Sequence, residues 1–431
     1  MLQKLLGWVL LVGLWGILLA HPALYSRKLA YIFVCLIVFV VWVAVLVRTL
    51  KAGRCILPPA KPVGILAFLG ISSILSMPFS PHAAWANLFS WGMPFLFFGV
   101  GWWLAAGTSI IRSLPGVVVL GAGAASTYAM FQYAQADFLP SGTLYRDRVV
   151  SVFENPNYFA NYVAAALPLA LAAFFRSGDW RSRLGWCLSV GVIYAGLLIA
   201  GSRGAWWAAL SGALVLLAGL TIQLYRGAVL LRPAWMAALL VMLGGITVFF
   251  AERPVLQGPA GPVSVGERMR SSQNIVGAGA AGDATINHRY RIWQVGWEMI
   301  RERPLLGQGY GSFPHRFVEV RQVLQAEEKF PREGWSSYFD ARYAHNEYLH
   351  IWAEGGLLAL LGFLGLIVLV LAGAAKAGFL GQTERLDLWG ALGLVVVMLV
   401  HSLVSYPLHL PLNGMVFWLT LGHLANRDYI T

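Results

Sequence analysis

Long apolar runs alternate with short polar joints along most of this chain. A helix needs roughly 20 apolar residues to cross a bilayer. Twelve stretches approach that length: 5–20, 29–47, 62–77, 85–105, 114–133, 157–175, 184–200, 204–224, 234–250, 348–372, 386–405 and 410–424. The pattern predicts an all-α integral membrane protein with about twelve transmembrane helices. The first stretch, with Lys4 ahead of it and small residues near Ala20 and Ala23, has the outline of a signal peptide. With eleven further spans behind it, an uncleaved first helix is the expectation.

One interval breaks the alternation. Residues 251–344, 94 in all, separate the ninth and tenth spans and carry 12 basic and 10 acidic side chains. The chain is therefore expected to divide into nine spans over 1–250, an outside loop domain over 251–344 and three spans over 345–431. In that loop RPVLQGPAGPVSVG and GAGAAGDA read as irregular connection. NHRYRIWQVGWEMIRERP then turns helical. Asn287 suits the N-cap, Ile292, Val295, Met299 and Ile300 recur at helical spacing, and Pro304 ends the run. A short amphipathic helix on or near the outer membrane face is expected. GQGYGSF, which follows, contains G-x-G-x-G but has no preceding strand or βαβ context. A tight turn accounts for it better than a phosphate cradle.

Composition agrees with a membrane protein. Hydrophobic residues make up 58% and charged residues 12%, where a soluble domain carries about 25% charged. The net charge of +12 would suggest nucleic acid in a soluble protein, but its distribution points elsewhere. With the N-terminus inside, 14 of the 31 Lys and Arg face the cytoplasm, 5 lie in short outside loops and 12 in the long loop. Loops that long do not count toward the positive-inside rule. Both termini are thus expected inside, and no nucleic acid partner is needed. Cys35, Cys55 and Cys187 form no pair facing an oxidising compartment and no metal-ligand spacing.

Four outside-facing stretches carry candidate chemistry. In FENPNYFANY, Asn155 and Pro156 form a helix start, and Asn157 and Asn161, four apart, place two amides on one face at the outer end of a span. In GSRGAWW, Arg203 occupies a very short turn on the side where basic residues are disfavoured. The plain alternative is an arginine snorkelling to the interface. In HRYRIW, Arg289 shares a helix face with Trp293, while Arg291 points toward the side expected to be solvated. In YAHNEYLHIWAEGG, His345 stands at the mouth of the tenth span, with Tyr348 continuing its face and Glu347 and Glu354 together on another. A lone histidine there would read as a helix cap, but two arginines are expected at the same membrane face. Guanidinium groups fork onto diphosphate oxygens, and imidazole takes protons from hydroxyls. Outside carboxylates are not clustered at ligand spacing, so arginines rather than a metal are expected to supply the counter-charge.

Together these stretches resemble the bacterial O-antigen ligase and O-antigen polymerase family of membrane glycosyltransferases. FENPNYFANY is similar to the family's F-x-N-P-N stretch, GSRGAWW to its S-R-G helix start, RYRIW with RPLLGQGYGSF to its R-x-x-x-W and P-L-x-G-x-G run, and AHNEYLHIWAEGG to its H-N-x-Y-L-x-x-x-x-E-x-G signature. They fall in the family's order over about 150–360; residues 1–140 match only in being multi-span. The resemblance implies a GT-C-like fold acting at the periplasmic face of the bacterial inner membrane. It implies transfer of a glycan from an undecaprenyl-diphosphate carrier to an acceptor hydroxyl, without metal, cofactor or nucleotide sugar. The acceptor would be lipid A-core for a ligase, a glycan for an O-antigen or exopolysaccharide polymerase, or a protein in some members. On the motif match Arg203 and Arg289 hold the diphosphate and His345 activates the acceptor or assists departure, with Arg291 the alternative to Arg289. Asn155, Asn157, Asn161, Arg291, Asn346, Tyr348 and Glu354 are the further candidates for substrate contact. The rival is a transporter of a small anion or a lipid-linked glycan. Transporters gather charge at the bilayer midplane, whereas the polar groups here collect at one face.

Overall fold

The computed structural model describes residues 60–76, 85–107, 113–136, 148–153, 155–258, 261–271, 284–328, 341–380 and 386–425, with positions 12, 13, 39, 43 and 47. The first two expected spans, apart from those five positions, lie outside the described residues. Each of the other ten coincides with a helix. They are α1 (Ala60–Ser76), α2 (Trp85–Gly107), α3 (Leu114–Tyr133), α4 (Pro156–Arg176), α5 (Trp180–Ile199), α6 (Arg203–Tyr225) and α7 (Pro233–Ala251), then, after the loop region, α11 (Glu347–Leu380), α12 (Leu386–His401) and α13 (Pro411–Leu424). Among the described residues six of these, α3 to α7 and α11, are long and apolar enough to cross a membrane. The protein is an all-α membrane protein apart from one small hairpin among the described residues.

Helix α4 lies at the centre. Its sequence, PNYFANYVAAALPLALAAFFR, is rich in alanine, and 16 of its residues are buried. Small side chains let neighbouring backbones approach closely, which is how helices associate where lipid supplies no hydrophobic drive. The same device recurs around it. A β-carbon on Gly393 would stand 2.8 Å from Pro168 of α4 and 2.9 Å from the Gly212 carbonyl of α6. By contrast α7 buries only Leu239 and Phe250, and Leu240, Val241, Val248 and Phe249 face outward. Such an apolar face is stable against lipid rather than water.

Between α7 and α11 the chain builds a small folded unit. The stretch expected to be irregular instead forms a hairpin, β1 (Pro254–Gly258) antiparallel to β2 (Gly261–Ser264), followed by the single-turn helix α8 (Val265–Arg270). Ser264 and Glu267 form a reciprocal capping box that starts α8 and holds the Glu267 pKa down. The amphipathic helix is present as α9 (Ala284–Glu302), beginning three residues before Asn287, which therefore lies in the first turn and is not the cap. Nor does its apolar face rest on a membrane. Ile292, Val295, Met299 and Ile300, all at most 2% exposed, pack against Phe313, Phe317 and Val320 of a second helix, α10 (Phe313–Ala326), and against Ala344 and Ala353. A stripe that can find a protein partner buries more completely there than at an interface.

The joint between this unit and α11 is made of backbone. At Gly356 (φ 75°, ψ −179°) the backbone of α11 leaves helical geometry, which splits the helix. The Pro304–Gly311 segment fills the break. Gln308 and Gly309 N–H groups bond the Ala353 and Glu354 carbonyls at 2.9 and 2.8 Å, and Leu357 N–H bonds Pro304 at 2.8 Å. Gly307, Gly309 and Gly311 all have positive φ, so the glycine run is a turn, shaped to enter the broken helix.

Candidate functional site

The first turns of α4, α6, α11 and α13 and the last turns of α5 and α12 meet at one end of the bundle, where α9 approaches from the loop unit. Asn155 caps α4, its Oδ1 accepting the Asn157 N–H at 2.9 Å with Pro156 at the first helical position. Asn157 is half-buried in that first turn. One turn further in, Asn161 is fully buried and its Oδ1 lies 2.9 Å from Nδ1 of His401. The amides therefore do not act together. Asn161 belongs to an internal pair, with its Nδ2 unpartnered among the described residues. His401 in turn abuts the start of α6, because a β-carbon on Gly204 would come within 3.1 Å of its ring.

Arg203 opens α6 and is 8% exposed. Its Nη1 donates to Ser271 Oγ at 3.1 Å, just beyond α8. The turn before it is gripped from two sides: Arg148 donates to the Ala200 carbonyl at 2.6 Å and Arg268 to the Gly201 carbonyl at 3.2 Å. Arg148, ahead of α4, and Arg268 of α8 thus form a basic cluster with Arg203 at the GSRG turn. A purely snorkelling side chain would not be buried in this way.

On α9, Trp293 donates its indole N–H to the Ala344 carbonyl at 3.0 Å. This fixes α9 against the residue that precedes His345, with Arg289 one turn earlier on the helix. The His288 ring on α9 stands 6.4 Å from that of His345, and the neighbouring Arg289 guanidinium acts electrostatically on the same imidazole. Arg291 is half-buried on the same helix. Arg289 is half-buried as well.

His345 has left-handed backbone, φ 53°, a conformation costing roughly 1–2 kcal/mol for a residue with a β-carbon. Burial, Arg289 and His288 push its pKa down to about 3. Asn346 follows as a cap, its Oδ1 accepting the Leu349 N–H at 3.0 Å. Tyr348 donates to the Leu399 carbonyl at 2.9 Å, tying α11 to α12. Glu354 points inward and is 3% exposed; its Oε1 accepts the Phe313 N–H at 2.9 Å and its Oε2 lies 3.4 Å from His350 Nε2. In this structure Asn155, Asn346 and Glu354 therefore hold backbone, and their side chains are occupied in doing so.

Glu347, with His350 and His409, completes the site. Glu347 is fully buried, with Oε1 accepting the Leu408 N–H and Oε2 against His409 Nδ1, both at 2.7 Å. Burial opposes protonation of His409, but the Glu347 carboxylate overcomes it and its pKa is raised. His350 and His409 stand edge to face at 4.5 Å, and Tyr343, its hydroxyl pKa raised by burial, covers them. Only HSLVSYPLHL at 401 onward, with two histidines and a tyrosine between apolar spans, hinted at this.

A helical membrane protein with buried arginines, histidines and tyrosines gathered at one end of its bundle is the class that fold and site define. Residues 187–364 match the family model described as O-antigen ligase, which supports a membrane protein similar to the O-antigen ligases and polymerases. It is also similar to the exopolysaccharide production protein ExoQ of Rhizobium meliloti (strain 1021), 26% identical over 214 residues. That match covers 48% of this chain and 46% of ExoQ, so the chain spans about half the length of the curated relative it matches.

Proposed function

We propose that this protein transfers a glycan from an undecaprenyl-diphosphate carrier to an acceptor hydroxyl at the periplasmic face of the inner membrane. The acceptor is a glycan, as in exopolysaccharide or O-antigen polymerisation, or lipid A-core. The observation that carries the reading is that α9 sets His288, at 6.4 Å between rings, and its neighbour Arg289 beside His345, at the bundle end where the buried Arg203 opens α6. In the proposed step His345 takes the proton of the acceptor hydroxyl as its oxygen bonds to the anomeric carbon. The anomeric C–O bond to the carrier breaks, and the diphosphate leaves with the electron pair, its charge held by Arg203 and Arg289. Two guanidinium groups replace the divalent ion that many diphosphate chemistries use, so the step proceeds without metal or cofactor.

Purified protein in detergent or vesicles, given a synthetic undecaprenyl-diphosphate oligosaccharide, should release the carrier only when a suitable acceptor is present. Activity should survive a chelator. No carrier release with glycan or lipid A-core acceptors would overturn the reading, and loss in chelator restored by magnesium would overturn its metal independence.

A further inference from the structure

Three tyrosines from distant parts of the chain meet behind His345. Tyr158 comes from the first turn of α4, Tyr343 from just ahead of His345, and Tyr406 from the 402–410 segment joining α12 to α13. The Tyr406 hydroxyl is hydrogen-bonded to that of Tyr158. Its ring is 7% exposed, stacks on Tyr343 at 4.4 Å and 21°, and meets the His345 imidazole edge to face at 4.8 Å and 79°. The segment bearing it is clamped. Besides the Leu408 and His409 contacts of Glu347, the Glu347 N–H donates to the Ser402 carbonyl at 2.9 Å. His345 itself lies outside any helix in a left-handed conformation, so the direction of its ring depends on what it packs against.

We infer that Tyr406, anchored through Tyr158, is the positioning residue for His345, holding the imidazole in the orientation its proton transfer requires. The inference rests on the reading of His345 as the base. It gives the 402–410 segment, which lies beyond the 187–364 family match, a part in the chemistry. Proton transfer is sensitive to such placement, because a misplacement of about 1 Å can cost roughly 10²-fold in rate.

The test is a double-mutant cycle with Tyr406→Ala and His345→Ala, in vesicles, on the same undecaprenyl-diphosphate oligosaccharide. Tyr406→Ala should lower kcat by about 10- to 100-fold while carrier binding changes by less than about 2-fold. In the His345→Ala background it should cost almost nothing more, since both act through one group. Tyr406→Phe and Tyr158→Phe keep their rings and break the same hydroxyl contact, so they should give equal, milder losses that do not add, and they serve if the alanine variant fails to fold. A second measurement needs no turnover: carbethoxylation of His345 by diethyl pyrocarbonate, read by peptide mass, should speed up several-fold in Tyr406→Ala while exposed His315 keeps its rate. An additive cycle or an unchanged His345 modification rate overturns the inference. Absence of transfer by the unmodified protein would instead overturn the functional reading, leaving the modification rates to decide the contact.

Discussion

Because burial, Arg289 and His288 hold the His345 pKa near about 3, the free protein keeps this imidazole neutral but weakly basic. On the proposed mechanism a diphosphate seated on Arg289 offsets part of that positive field, so donor binding strengthens the base. The kcat/KM profile should therefore show no acid limb from His345 between about pH 8 and 5. Arg289→Gln, which removes one lowering charge, should bring that limb upward into range; a wild-type limb near the ordinary 6.5 that disappears in His345→Gln would refute this. Stability follows with the corresponding sign. The unfolded imidazole takes up its proton near 6.5 and the folded one near 3, so this residue lets the fold lose stability as pH falls through that window. Arg203→Lys and Arg289→Lys keep charge but lose the fork, and both should impair transfer, with Arg291→Lys close to neutral, measured as initial rates at matched protein levels. His345, Arg203 and Arg289 were legible in sequence because their residue types were out of place at an outside membrane face. Tyr406, His401 and His409 were not: each is ordinary in its own segment and gains meaning only from Tyr158, Asn161 and Glu347, which lie 62 to 248 positions away.

At the scale of elements, the joint at the broken helix shows what a hydropathy pattern can and cannot convey. GGLLALLGFL, after Glu354, runs apolar through Gly356, so the pattern announces a single span. The break is created by a partner, since Pro304–Gly311 supplies the backbone bonds that the helix gives up. The glycine turn was readable, but its destination was not. Helix α9 is similar: its apolar stripe was plain, whereas α10, with charges interleaved in RFVEVRQVLQ, gave little sign of being the other half of a core. The joint makes a sharp prediction. Gly356 has φ 75° and a β-carbon there would overlap the Leu305 carbonyl; Gly307 has φ 70° and one there would overlap the Glu354 carbonyl. Gly356→Ala and Gly307→Ala should each destabilise the protein by about 1–3 kcal/mol or more and misplace the His345 segment. Gly365→Ala, helical with open space around it, should be neutral or slightly stabilising. Thermal unfolding in detergent with transfer rates decides it, and wild-type behaviour of Gly356→Ala would remove the joint from the account.

Across the whole molecule, the charge distribution gives the candidate site an expected side of the membrane. Ten expected spans, 62–77 to 410–424, each found a helix, because apolar runs of spanning length leave the backbone few alternatives in lipid. Orientation came from a separate signal, the excess of Lys and Arg in alternate short loops. With that orientation, the outside is the end of the bundle where α4, α6, α11 and α13 begin, and there the structure gathers Arg203, Arg289, His345 and their partners. The opposite end holds the cytoplasmic candidates, among them Arg176, paired with Asp387 at 3.1 Å, and Arg183. A lipid carrier's diphosphate lies at headgroup depth and its glycan outside the bilayer, so a transferase of this kind needs its basic residues where the positive-inside bias would deplete them. On the proposed mechanism topology is thus coupled to function. Reporter fusions placed after Arg232 and after Gly311 should report opposite compartments, the first cytoplasmic and the second periplasmic. Fusions reporting one compartment for both would remove the span between them. A reversed pair would put the arginine and histidine cluster on the cytoplasmic face, away from the glycan, and the transfer mechanism would fall with the topology.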